Sequence, residues 1–285
     1  MSDARPKPPV DTATVHRLLL HEALVHAVPD RVLRDLGDGL LLYDRHDPEP
    51  FWNRLEAVRW PSEPDAFDRR LAEVGVLFAS IGRQPHIWLL PPHDAPDDIA
   101  ARLLANGFVD TGSGHLMVAS GAVAGRRSAE ALARPPAPGV TIERSRELRG
   151  AAANEAARAS VEVLVAAFEV GDDRRVGVIA ETVASLADPR FMHYLIRLDG
   201  VPAAVARRAT FEGISYLSSI GTHPAARGRG LARLVTATAM ADAAAAGSEW
   251  VHLGVFADNL PAFALYERLG FVPAGEPGPD LLLVG

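Results

Sequence analysis

The chain has 285 residues, 48 % of them hydrophobic and 23 % charged, with a formal net charge of −7 and no cysteine. Those numbers suit a buried core in one large or two ordinary domains. They oppose a general nucleic-acid or anionic-membrane binder and exclude disulfides, thiolate metal sites and a cysteine nucleophile. No apolar run approaches a membrane span, and residues 1–9 are polar and proline-rich with no apolar signal core, so a disordered start and a cytoplasmic location are expected.

Residues 10–119 read as a first domain. The stretch 120–139 holds Gly121, Gly125, Pro135, Pro136 and Pro138 among small residues and reads as a linker. Residues 140–285 form a second domain. In it, Val140–Ile142 is a short strand, Ala151–Phe168 and Arg175–Leu186 are helices, and Phe191–Leu198 alternates with period two. Val201–Thr210 and Ile214–Thr222 are strands joined by a Glu212-Gly213 turn. Leu231–Ala246 is a helix ended by Gly247, and Trp250–Phe256 is a strand. Leu260–Leu269 is a helix capped by Asn259 and stopped by Gly270, and Leu281–Val284 closes the sheet. Strand, two helices, three strands, helix, strand, helix, strand is a mixed α/β order.

The two halves share a register. Asn106-Gly107-Phe108-Val109 resembles Leu269-Gly270-Phe271-Val272, an offset of 163. The same offset pairs Trp60-Pro61 with His223-Pro224, Trp88 with Val251 and Gly112 with Gly275. A single gap-free register from 60 to 112 points to duplication.

The segment Ile220-Gly221-Thr222-His223-Pro224-Ala225-Ala226-Arg227-Gly228-Arg229-Gly230-Leu231-Ala232 runs from a strand into a helix. Gly228 and Gly230 remove side chains, the helix start offers unpaired amides and the positive end of its dipole, and Arg227 and Arg229 add charge. Together these make a pyrophosphate cradle. Neither the lysine-bearing nucleotide loop nor the dinucleotide fingerprint is matched.

With the second segment, Asn259-Leu260-Pro261-Ala262-Phe263-Ala264-Leu265-Tyr266-Glu267-Arg268-Leu269-Gly270-Phe271, the chain resembles the GNAT superfamily of N-acetyltransferases. Arg227, Gly230 and Ala232 match that family's (Arg/Gln)-x-x-Gly-x-(Gly/Ala) loop. Asn259, Ala262, Leu265, Tyr266, Gly270 and Phe271 match its Asn-x-x-Ala-x-x-Leu-Tyr-x-x-x-Gly-Phe segment. The resemblance covers residues 140–285 and implies two GNAT-like domains, each a mixed, mostly antiparallel sheet flanked by helices. It implies acetyl-CoA as co-substrate. Amides of Gly228, Arg229, Gly230, Leu231, Ala232 and Arg233 would hold the pyrophosphate. Ile220, Gly221 and Thr222 would pair with the pantetheine arm, Asn259 and Ala262 would border it, and Tyr266 would protonate the departing thiolate. The implied enzyme is an N-acetyltransferase acting by direct transfer on a small-molecule amine, with no metal, as monomer or homodimer. A CoA-binding sensor without turnover is the alternative; transfer to a hydroxyl or of a longer acyl group is a third reading.

The base is not specified. Some members of the superfamily end the strand before the asparagine with Glu-Val-x-x-x-Asn; here the glutamate position is Gly254. His223, His252, Ser219 or a water chain are the candidates. The loop around Phe168, Glu169, Asp172 and Asp173 is the expected source of acceptor specificity, through carboxylates that attract a cationic amine. Shifted by 163, the cradle glycines become Asp65 and Phe67, Asn259 becomes Pro96 and Tyr266 becomes Leu103. A carboxylate repels a diphosphate, so the first half is expected to bind no CoA. Phe51, Trp52, Trp60 and Trp88 are expected mostly to pack its core, with acceptor lining as the alternative.

Overall fold

The computed structural model describes residues 10–284; the expected disorder of residues 1–9 lies outside them. Two compact units interleave along the chain. Among the described residues, the first takes 10–117, 254–263 and 272–284; the second takes 118–253 and 264–271.

The first unit starts with α1 (Thr12–His26), capped by Asp11, whose carboxylate accepts from the Thr14 amide at 2.7 Å. β1 (Val32–Asp35), β2 (Leu40–Tyr43) and β3 (Arg54–Glu56) form an antiparallel meander. After α2 (Pro64–Ser80), β4 (His86–Trp88) pairs parallel to β3. α3 (Ile99–Ala105) leads into β5 (Phe108–Ser120). The core gathers Leu41, Leu55, Trp60, Phe67, Val74, Phe78, Ile87, Leu103 and Leu281. Trp60 is therefore core, against Phe67 at 5.5 Å between ring centroids. Phe51 and Trp52 pack on each other at 4.6 Å, and the Arg54 guanidinium covers Phe51 and Trp88.

The second unit holds α4 (Gly121–Leu132), β6 (Val140–Ser145), α5 (Gly150–Phe168), α6 (Asp172–Ala187), β7 (Phe191–Leu198), β8 (Val201–Phe211), β9 (Ile214–Thr222), α7 (Leu231–Ala245) and most of β10 (Trp250–Phe256). Its strands run β6-β7-β8-β9-β10, antiparallel except for the parallel β9–β10 pair. β-branched and alternating apolar residues on β7 and β8 bury against helices on both faces, α5 and α6 on one and α7 on the other. α8 (Leu260–Arg268), β11 (Val272–Pro273) and β12 (Gly278–Leu283) complete the chain order.

Two expectations change. Residues 121–132 of the expected linker are the helix α4, started by Ser120, whose hydroxyl accepts from the Val123 amide. Its glycines are there for close packing. A Cβ on Gly121 would overlap the Ser248 carbonyl oxygen, and one on Gly125 would lie 3.3 Å from the Ala244 Cβ of α7. The C-terminal strand joins the first unit instead of closing the second unit's sheet. β12 lies between β4 and β5, antiparallel to both, with Leu281 opposite Ile87 and Asp110. Gly278 permits this, because a Cβ there would overlap the Leu89 carbonyl oxygen.

The offset of 163 also relates elements. It carries α7, β10 and α8 onto 68–82, 87–93 and 97–105, where α2, β4 and α3 stand. The strand before the first of these helices pairs parallel to the strand after it in each unit, β3 with β4 and β9 with β10.

Candidate active site

β9 is where regular pairing breaks. Val205 faces Gly221 and Arg207 faces Ser218, so Ser219 and Ile220 together oppose Ala206. This is a bulge, and Ser219 adopts φ +51°, unusual for a residue with a side chain. The parallel pairing to β10 covers Ile214–Tyr216 with Trp250–His252. Beyond Tyr216, β9 keeps its ladder to β8 through Thr222, while its other edge has left β10. Backbone groups on that edge are thus available to an extended ligand.

The strand ends in a short 3-10 turn, Pro224–Ala226, followed by the glycine loop. Gly228 and Gly230 sit at φ +77° and +75°, the left-handed region that glycine enters without strain, and nothing lies within 4 Å of a Cβ built on either. Gly230 is the N-cap of α7 and supplies no side-chain cap, so the first-turn amides of Leu231, Ala232 and Arg233 face outward with the helix dipole behind them. Arg229 is exposed and makes no bond to any described residue. Arg227 donates to the Ala167 carbonyl at 3.3 Å and Arg233 to the Ala131 carbonyl at 2.8 Å, so both are partly tied to the scaffold. Gly221 differs from the loop glycines. A Cβ there would meet Ala167 at 3.1 Å and Phe168 at 3.3 Å, so its role is to let α5 approach β9.

Tyr266 on α8 belongs to the same unit. Its ring is buried and meets Phe271 edge-on at 6.1 Å, and the Phe271 amide donates to the Tyr266 carbonyl at 3.0 Å. Its hydroxyl bonds no described residue. Burial pushes its pKa up to about 12. Asn259 caps α8, its side-chain oxygen accepting from the Ala262 amide at 3.2 Å; Ala262 is half-buried.

The base candidates separate. His252 is fully buried against Tyr216, at 4.9 Å between rings, which makes it a core histidine. His223 uses Nδ1 to accept from the Ala225 amide at 3.3 Å and so caps the 3-10 turn. Ser219 is the bulged residue itself. Asp172 and Asp173 are exposed in the first turn of α6, where they offset its dipole. Phe168, half-exposed, lies beside Gly221.

One cluster escaped the sequence reading. Arg207 and Arg208 are consecutive on a strand and so point to opposite faces. Arg208 bonds the Tyr194 hydroxyl and Thr210. Arg207 donates Nε to Ser218 Oγ at 3.1 Å and Nη1 to Glu181 Oε1 of α6 at 3.2 Å. Its cross-strand partner His193 bonds Ser185 and is held down to about 3 by burial first and by Arg207 second. Two adjacent arginines inside an apolar alternating strand were the available signal.

In the first unit, the positions that the offset of 163 pairs with the loop lie at the start of α2. α2 begins at Pro64, three residues after Trp60-Pro61, with Asp65 in its first turn to offset the dipole, and Phe67 and Leu103 are core residues.

Residues 161–271 match the family model described as "Acetyltransferase (GNAT) family". Among curated proteins, a mycothiol acetyltransferase of Gordonia bronchialis is 45 % identical over 21 % of this chain and 22 % of its own. One of Mycobacteroides abscessus is 44 % identical over 22 % and 21 %. The chain thus spans about a fifth of the curated relatives it matches. Among solved structures, a GCN5-related N-acetyltransferase from Kribbella flavida has TM-score 0.68 at 22 % identity, over 96 % of both chains. A tandem GNAT protein from the clavulanic acid biosynthesis pathway has TM-score 0.60 at 16 % identity, over 99 % of this chain and 89 % of its own. Both share the fold. Among the described residues no helix is long and apolar enough to cross a membrane, and no group of three or more His, Cys, Asp or Glu could hold a metal ion.

Proposed function

We propose that this chain, whose residues 161–271 belong to the acetyltransferase (GNAT) family, transfers an acetyl group from acetyl-CoA to the amine of a small-molecule acceptor by direct attack. The observation that carries the reading is the parting of β9 from β10 beyond Tyr216, followed by the bulge at Ser219–Ile220 and a glycine loop that opens a helix with uncapped amides.

The open Gly228–Gly230 loop, the amides of residues 231–233 and the unpaired Arg229 suit a pyrophosphate. The free edge of Ile220–Thr222 suits the pantetheine arm. Asn259, read by itself, keeps its amide nitrogen available while its oxygen caps α8. When bound, acetyl-CoA supplies a thioester carbon open to attack. An amide at the bulge is the donor for the carbonyl oxygen as it gains charge. An ammonium acceptor loses one proton before its nitrogen attacks, the C–S bond breaks, and the nitrogen loses a second proton. Tyr266 gives its proton to the leaving thiolate and recovers one from the acceptor nitrogen through solvent, so one net proton is released per turnover. Burial keeps the hydroxyl protonated to about pH 12, so the proton is present to be given, and it also makes Tyr266 a weaker acid than a free phenol, so transfer accompanies C–S cleavage as the sulfur gains charge.

The first unit's Asp65, Phe67 and Leu103 support its reading as a degenerate GNAT-like half without a CoA site. The amine class rests on the family resemblance.

Thiol release from acetyl-CoA across an amine panel tests the proposal, with Tyr266→Phe as control. Release that depends on an amine and falls in the variant supports it. Binding of acetyl-CoA without release for any amine would favour the sensor alternative.

A further inference from the structure

We propose that Arg207 receives a carboxylate of the acceptor, which assigns the acceptor to amines that carry a carboxylate, the chemistry of an amino acid or peptide. The inference rests on the transferase reading above and names the substrate class of that same site.

Arg207 is 7 % exposed in the middle of β8. A guanidinium has five N–H groups in a planar fork. Two of its nitrogens are fixed, Nε on Ser218 and Nη1 on Glu181, and Nη2 donates to no described residue. A buried cation with an unused donor edge fits a planar anion. Its place gives that edge a purpose, because Ser218 stands just before the bulged pair Ser219–Ile220, on the stretch of β9 beyond Tyr216 that no longer pairs with β10. Phe168 and Gly221 lie on the α5 side of the same strand.

His193, opposite Arg207 in the ladder, is neutral, so it adds no charge beside the guanidinium. A carboxylate lies in the plane of that fork and pairs with it, whereas a purely cationic amine would meet like charge. Asp172 and Asp173, the expected attraction for cationic amines, are exposed on the first turn of α6.

The test compares α-amino acids and short peptides with their C-terminal amides as acceptors, by thiol release, in wild type, Arg207→Lys, Arg207→Gln and Glu181→Gln. Acetyl-CoA binding by calorimetry checks that each variant folds. Wild type is expected to favour the free carboxylate by about 10- to 100-fold in kcat/KM, the usual worth of a hydrogen bond to a charged group. Arg207→Gln erases that preference with acetyl-CoA affinity retained, and Arg207→Lys keeps part of it. Amides acetylated as well as acids by wild type overturn the proposal. So does a preference that survives in a folded Arg207→Gln; if that variant fails to bind acetyl-CoA, an unchanged preference in Arg207→Lys together with Glu181→Gln does the same. Acetyl-CoA bound with no acceptor of either kind acetylated overturns the assignment and leaves CoA binding standing. No acetyl-CoA binding in wild type instead removes the transferase reading itself.

Discussion

Tyr266 is buried where its charged form is disfavoured, and in the proposed mechanism that burial keeps its proton in place. Replacing it with Phe is expected to lower kcat by about 100-fold or more while acetyl-CoA affinity changes little; steady-state kinetics beside calorimetry decide it. Because the folded pKa lies near 12, Tyr266 causes no alkaline loss of activity below about pH 11. His193 gives the opposite sign. Its folded value is depressed to about 3 from 6.5, so its neutral form stabilises the fold above pH 6.5. That contribution is lost as pH falls toward 3, by about 1.4 kcal/mol per unit. In denaturant melts, His193→Gln should flatten the pH dependence over that window. The loop glycines make a third case: Gly230→Ala puts a Cβ on a φ of +75°, costing about 1 kcal/mol, and should also weaken acetyl-CoA binding. At this scale the sequence was informative wherever a residue type has a narrow conformational use. Gly228 and Gly230 were readable as a loop that opens a helix, and Tyr266 came from the family resemblance. The Arg207 cluster was not readable, since its meaning depends on Glu181, 26 positions away, and on the bulge.

Strands and helices with strong local patterns stood where periodicity placed them: β7 at 191–198, β9 at 214–222 and β10 at 250–256. α4 was misread because glycine has two uses. In a loop it supplies φ freedom; in α4 it removes a Cβ so that the helix can lie against the chain at Ser248 and against α7. Gly121→Ala should therefore destabilise by about 1–3 kcal/mol, the cost of overpacking, although alanine favours helices. A loop reading expects little change, and thermal unfolding separates the two. β12 was readable as a strand and unreadable as to partner, because its neighbours β4 and β5 are remote in sequence. Leu281, fully buried in the first unit's core, makes that pairing testable: Leu281→Ala should cost about 2–5 kcal/mol, with the loss of amide protection concentrated in β4 and β5.

As a molecule, the chain carries one reading of a fold twice. The second unit holds the loop, the bulge and Tyr266; in the proposed reading the first is a degenerate copy, with Asp65, Phe67 and Leu103 at the corresponding positions. One acetyl-CoA per chain by calorimetry is the expected stoichiometry, and two would show that the first unit still binds. The pairing of β12 has a further consequence for how this protein comes into being. His86 of β4 bonds Asp280 of β12 across 194 residues, and the whole second unit is encoded between them. On a ribosome adding about 5–20 residues each second, the facing edges of β4 and β5 wait roughly 10–40 seconds for the strand that joins them. The first unit is thus begun first and finished last, and its unpaired edges are open to chaperones, to proteases or to another nascent copy for as long as the second unit is being made.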